Sequence, residues 1–258
     1  MSEKERRSQE HPGNSEAAVE TRGLWKTFGE GETAVHAVQD VSLTIRRGEF
    51  VALCGPSGSG KTTLVNLIGG LTDPTRGEVR VDGRDVGAMS EPERAQLRLE
   101  RIGFVFQAYN LLPVLTALEN AEFPLMLRGV ARDERRREVT ALFNEIGLGG
   151  LEDRRPGALS GGQQQRVAVA RAVLGAPALV LADEPTANLD TQASDALLGI
   201  MELLNQERNV TFIFCTHDPR VMRRARRIIR LVDGHVERDA EKEAGHLPDW
   251  VLEPVGAA

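Results

Sequence analysis

One stretch of eight residues, Gly55-Pro56-Ser57-Gly58-Ser59-Gly60-Lys61-Thr62, limits the folds open to this chain more than any other. It has the spacing G-x-x-x-x-G-K-[ST], and its flanks suit it. Phe50-Val51-Ala52-Leu53-Cys54 before it is a continuous apolar run, and Thr62 to Ile68 after it has helical patterning. Glycines let backbone N–H groups curl around phosphate oxygens, and the start of the following helix adds positive potential. In a loop of this kind Lys61 reaches the β- and γ-phosphates and Thr62 ligates Mg²⁺, with Gly55, Pro56, Ser57, Gly58, Ser59, Gly60 and Thr63 forming the rest of the cradle. A Gly/Ser-rich turn with a chance lysine leaves the flanks unexplained.

The rest of the chain agrees with an α/β fold. Ala178 to Ala182 and Thr211 to Cys215 are short apolar runs of the kind buried on both faces of a parallel sheet. Val19 to Trp25 and Ala34 to Ile45 instead alternate apolar and polar residues, which suits an antiparallel sheet with one wet face. From Glu91 to Leu151 the periodicity turns helical: Glu93 to Arg101 and Asp133 to Ile146 carry apolar stripes, and Gly147-Leu148-Gly149-Gly150 stops the second. Further helices are expected over Gln192 to Glu207 and Pro219 to Arg226. The expected organisation is a polar, disordered tail over residues 1–17, one domain over 18–239 with an inserted helical subdomain at about 91–165, and a C-terminal tail over 240–258. Within that tail, Trp250-Val251-Leu252 is able to dock.

Charge and cysteine usage exclude several classes. The formal net charge of −6 speaks against general electrostatic binding to nucleic acid. The longest apolar stretch, Ala172 to Ala182, contains Gly175 and Pro177 and falls well short of the roughly 18 residues a spanning helix needs. The charged start, Met1 to Arg7, does not read as a signal peptide. Cys54 and Cys215 each end an apolar run, and read as buried free thiols in a reducing compartment.

Two more segments carry chemistry. The second apolar run ends in Asp183-Glu184; beside a phosphate loop such a pair holds Mg²⁺ through Asp183 and orients the attacking water through Glu184. Between the loop and that pair lies Leu159-Ser160-Gly161-Gly162-Gln163-Gln164-Gln165-Arg166, glycines opening an apparent helix and so a second anion site. This segment resembles the L-S-G-G-Q signature of the ATP-binding cassette (ABC) ATPases.

Further positions match that family one at a time. Gln107, after Phe104-Val105-Phe106, resembles the glutamine that senses Mg²⁺ and water. Asp190, in Asn188-Leu189-Asp190, resembles the residue contacting the opposing protomer. His217, in Cys215-Thr216-His217-Asp218, resembles the histidine that bonds the γ-phosphate, and Phe28 sits where an aromatic stacks on adenine, with Trp25 the other candidate. Each has a plainer reading: a strand-end polar residue, a helix cap, a loop histidine, a core aromatic. Their joint occurrence in order carries the resemblance.

The resemblance covers roughly residues 18–239 and implies a P-loop NTPase (RecA-like) core, an antiparallel β subdomain and an α-helical signature subdomain. It implies ATP and Mg²⁺ as ligands, hydrolysis of ATP, and an ATP-dependent head-to-tail homodimer. In that dimer Ser160, Gly161, Gly162 and Gln163 of one protomer close over the nucleotide on the other. It implies no nucleic acid, but separately encoded membrane permease subunits, and hence a cytoplasmic place on the inner face of the cell membrane. Thr116 to Asn120, Phe123-Pro124-Leu125 and Leu181 to Asp190 resemble the lipoprotein-release and macrolide-export group, with Ala187 where that group commonly has Gly. The alternative is a regulatory cassette of the cell-division type, signalling through a membrane protein without moving a solute. The basic run Arg220 to Arg227 reads either as a solvated helix face or as a contact with anionic lipid.

Overall fold

The computed structural model describes residues 17–242 and 248–251. Strands β1 (Ala17–Phe28) and β2 (Val35–Arg46) open the chain, followed by β3 (Phe50–Cys54), α1 (Lys61–Ile68), β4 (Arg76–Val81) and β5 (Arg84–Asp85). Next come α2 (Glu91–Arg101), β6 (Ile102–Phe106), α3 (Ala117–Leu127), α4 (Arg132–Glu145) and α5 (Gly161–Val173). The last part holds β7 (Leu179–Asp183), α6 (Thr191–Arg208), β8 (Thr211–Cys215), α7 (Pro219–Arg224), β9 (Arg227–Val232) and β10 (His235–Glu241).

The strands form two sheets. One is antiparallel, in the order β2-β1-β4-β5. The other runs β10-β9-β3-β8-β7-β6, parallel throughout except for the β9–β10 hairpin. Alternation along its strands divides the core. Phe50, Ala52 and Cys54 of β3, with Phe212 and Phe214 of β8, face the side covered by α3, α4, α5 and α6. Val51 and Leu53, with Ile213 and Cys215, face α1, α2 and the antiparallel sheet. Continuous apolar strands are thus buried on both faces, as in other α/β proteins. Cys54 and Cys215 are free, buried, and on opposite faces of the sheet.

Three boundaries differ from the expected ones. Ala17 belongs to β1, paired with Arg46 and buried, whereas the remainder of the expected N-terminal tail lies outside the described residues. At the other end β10 runs on to Glu241, and Trp250 and Val251 pack against the core; Leu252 lies outside the described residues. Inside the block expected to be a helical subdomain, α2 and β6 belong to the core: Leu97 packs with Val81 and Ile102, and β6 pairs with β7. Ile102-Gly103-Phe104-Val105-Phe106 is an apolar run like the other buried strands, following directly on the charged helix α2. Gly103 is required there, because a Cβ would overlap the carbonyl oxygen of Ala172 on α5. Among the described residues no helix is long and apolar enough to cross a membrane.

Candidate active site

The phosphate loop joins β3 to α1. Gly58 and Gly60 have φ of 79° and 96°, and a Cβ on Gly60 would overlap the carbonyl oxygen of Ala37. Only glycine meets both demands. Lys61 folds its ammonium back over the loop, donating to Gly55 O (2.9 Å), Pro56 O (2.7 Å) and Ser59 Oγ (3.4 Å). Beside the loop lies a cavity of about 480 Å³, walled on one side by Gly58 to Thr63 and on the other by Val35, His36, Ala37 and Gln39 of β2, with Asp233 at its edge.

That second wall was not foreseen. It is held by the β9–β10 turn: Gly234 N donates to Ser59 O at 3.1 Å, while Gln39 donates from its backbone to Gly234 O and from its side chain to Asp233 O, both at 2.8 Å. Asp233 and Gly234 both have positive φ, as a tight primed hairpin turn requires. Asp233-Gly234 between the two strands marks the turn, though not the wall that it holds.

Asp183 is the last residue of β7, in register with Cys215 on β8 and Phe106 on β6. The Cys215 sulfur lies 3.9 Å from Thr62 Oγ1, so strand β8 brings the loop hydroxyl and the carboxylate to one place. Burial, then the charge of Asp183, push the Cys215 thiol above its ordinary range. Among the described residues no three His, Cys, Asp or Glu side chains could hold a metal by themselves. One hydroxyl and one carboxylate next to a phosphate cradle nevertheless fit Mg²⁺, which takes few protein ligands and completes its shell with phosphate oxygens and water.

Glu184 has φ of 45°, in the left-handed region, and its N–H donates to Cys215 O at 2.9 Å. This turn swings the side chain toward β8. There Thr216 Oγ1 donates to Oε2 (3.1 Å), His217 N donates to Oε1 (3.2 Å), and His217 Nδ1 sits 2.6 Å from Oε1. The carboxylate is largely covered while the imidazole is 78% exposed. With Nδ1 turned inward to a carboxylate, Nε2 faces outward. Next to it, burial works against the charge on Asp218, but bonds from the Arg220 side chain, the Arg220 N–H and the Thr186 hydroxyl outweigh it and hold that carboxyl below the ordinary range.

Of the remaining candidates, Gln107 follows the strand end beside Asp183 and Phe28 stands opposite the cavity-lining Val35, while Ser160 and Asp190 sit at helix starts. Gln107 follows β6 with its side chain exposed and its carbonyl accepting from Asn188 Nδ2 at 2.9 Å. Ser160 caps α5: its hydroxyl accepts from Gln163 N, and Gln163 Oε1 accepts from Ser160 N, at 3.3 and 2.9 Å. Gly161 and Gly162 lie against Tyr109 and Ala193 rather than against the phosphate loop. Asp190 caps α6 by accepting from Ala193 N at 2.7 Å. Phe28 ends β1, opposite Val35, with its ring exposed and the Lys26 ammonium above it; the face of Trp25 is covered by Arg76. In the basic run, Arg220, Arg224 and Arg227 pair with Asp218, Glu202 and Asp239 of the same chain, while Arg223 and Arg226 are exposed.

Comparison with known proteins now bears on this geometry. The family described as "ABC transporter" matches residues 38–187. The lipoprotein-releasing system ATP-binding protein LolD of Anaeromyxobacter dehalogenans is 49% identical over 222 residues, covering 86% of this chain and 93% of the relative. The macrolide export ATP-binding/permease protein MacB of Syntrophobacter fumaroxidans is 47% identical over 224 residues, 86% of this chain but 31% of the relative. The chain therefore spans about a third of the length of the macrolide-export relatives it matches. An ATP-binding cassette solved as a dimer after hydrolysis, bound to ADP and phosphate, superposes with a TM-score of 0.78 at 42% identity, over 86% of this chain and 98% of that one. A strand-loop-helix cradle, an acidic pair at the neighbouring strand end and the similarity of nearly the whole chain lead to one conclusion: this protein belongs to the ABC transporter family, as an ATP-binding cassette.

Proposed function

We propose that the chain binds ATP with Mg²⁺ in the cradle of Gly55 to Thr63 and hydrolyses it to ADP and phosphate. The observation that carries this is Glu184, whose carboxylate three partners hold at the strand end beside Asp183 and the phosphate loop. Lys61 exchanges its bonds to Gly55 O and Pro56 O for phosphate oxygens. Mg²⁺, held by Thr62 and Asp183 and monitored by Gln107, supplies positive charge against the β- and γ-phosphates. Glu184 takes the proton of the attacking water, and His217 presents Nε2 to the γ-phosphate. Phe28, exposed and opposite the cavity-lining Val35, stacks on the base; Trp25 is already covered.

Ser160 to Gln163 lie away from the loop of their own chain, which supports a head-to-tail homodimer in which they and Asp190 meet the partner's nucleotide site. Solved relatives of this kind are dimers. We further propose that this dimer works at the inner face of the cell membrane with separately encoded membrane subunits, in lipoprotein release or export, the roles named for its relatives. The test is Glu184→Gln. Hydrolysis is expected to fall at least about 100-fold while ATP affinity by calorimetry changes little. Size exclusion with saturating MgATP should then show a dimer. A monomer, or unchanged turnover, overturns the reading.

A further inference from the structure

Gln165, one turn beyond the Ser160 cap on α5, is fully buried. Its amide nitrogen donates twice, to Pro185 O at 2.7 Å and to Phe106 O at 3.3 Å. Phe106 immediately precedes Gln107, and Pro185 immediately follows Glu184. The amide oxygen, by contrast, is buried with no hydrogen-bond partner among the described residues. Methionine would fill the same space without a buried, unpaired amide oxygen, but would take the donor away from Pro185 O and Phe106 O. What glutamine adds at this position is the two-pronged donor.

The surroundings give that donor leverage. The backbone after Gln107 is unusual: Tyr109 and Asn110 both have positive φ, at 57° and 51°. Arg171, two turns further along α5, donates to both of their carbonyl oxygens, at 2.9 and 2.6 Å. Asn188 ties the segment after Glu184 to Gln107 O. One rigid helix therefore carries Ser160 at its tip and grips the chain on both sides of Gln107 and just past Glu184. Of these grips only Gln165 reaches both segments with a single group.

We propose that Gln165 is a positioning residue that couples the tip of α5 to Gln107 and Glu184. An event at Ser160 to Gly162 then moves the two segments of the same chain that carry Gln107 and Glu184. The inference rests on the proposed ATP-bound dimer, in which the partner's nucleotide sits at that tip. Through Gln165, docking there is transmitted backwards into the cassette's own site.

Hydrogen exchange tests this without turnover, comparing Glu184→Gln with Glu184→Gln/Gln165→Met, each with and without MgATP. In the first protein MgATP should slow exchange over 55–62, 107–110 and 186–189. In the second, protection of 55–62 should persist while protection over 107–110 and 186–189 drops about tenfold or more. Gln165→Asn keeps an amide but withdraws it by one methylene, and should give the same split if the methionine variant folds poorly. In an otherwise unaltered chain, both variants should lower kcat about tenfold with KM for ATP within about twofold. Equal protection of 107–110 in the presence and absence of the Gln165 donor overturns the proposal. Absence of protection at 55–62 in every protein instead overturns ATP binding itself, so the two failures are distinct.

Discussion

Glu184 holds a backbone angle that side chains disfavour, φ 45°, at the point where the chain leaves β7. Left-handed backbone costs a side-chain-bearing residue about 1 kcal/mol relative to glycine. Both Glu184→Ala and Glu184→Gly remove the carboxylate, so both should abolish hydrolysis, but the glycine variant should be the more stable by about 1 kcal/mol in urea melts of equal slope. A reversed order would show that the angle carries no strain. Cys54 allows a second prediction at this scale. Burial pushes its thiol up to about 11, against the pull of Arg230 and Lys61, from a reference of 9.0. Above about pH 9 the unfolded thiol ionises while the folded one keeps its proton. The stability this gives is complete below pH 9 and is lost as pH rises through 11, a span worth on the order of 2–3 kcal/mol. Cys54→Ala should flatten the fall in unfolding free energy between pH 9 and 11. The residues of the phosphate loop, Asp183 and Glu184 were legible locally, since each sits where an apolar run stops. Gln107 also ends an apolar run and the Ser160 segment opens a helix on glycines, so both were legible as positions, whereas Asp190 reads within its own chain only as the cap of α6.

Among the elements, α5 does the most with its ends. Its capping box satisfies two donors that a helix start otherwise leaves bare. Ser160→Ala should lower stability by about 1 kcal/mol and leave ATP affinity of the monomer unchanged, while weakening the ATP-dependent dimer of the Glu184→Gln protein. Asn120 on α3 staples the preceding loop, accepting from Leu112 N and donating to the carbonyls of Leu112, Leu115 and Thr116. Its replacement by alanine leaves those groups unpaired and should cost about 2 kcal/mol, read from chemical denaturation. The sequence patterns marked α4 and α6 within a residue or two, because amphipathic stripes survive on surface helices. They concealed β6, which follows the charged helix α2 without a break and carries a glycine at its second position. They also left β4 and β5 unseen: β4 pairs with β1 from far away in the chain, and β5 is only two residues long.

At the scale of the whole molecule, a ligand that binds only the folded cassette should stabilise it by about 2.7 kcal/mol at 100 times its Kd, raising Tm by a few degrees. Lys61→Ala should remove that shift in thermal melts with ATP and keep the melting temperature without it. The cavity's far wall belongs to this scale too, which is why no window of sequence disclosed it: β2 and the β9–β10 turn close on Ser59 from opposite ends of the chain. Strand order adds a consequence in time. β3, which carries the loop, sits between β8 and β9, and both are made from the last quarter of the protein. During synthesis the phosphate loop therefore emerges early on a strand with neither neighbour, and non-local parallel pairing completes it late. A nascent chain halted before β8 should not retain ATP, whereas one extended past Gly234 and clear of the ribosome should. Nucleotide occupancy is thus a timestamp of a finished fold: the cassette cannot take fuel until it has been built almost to the end.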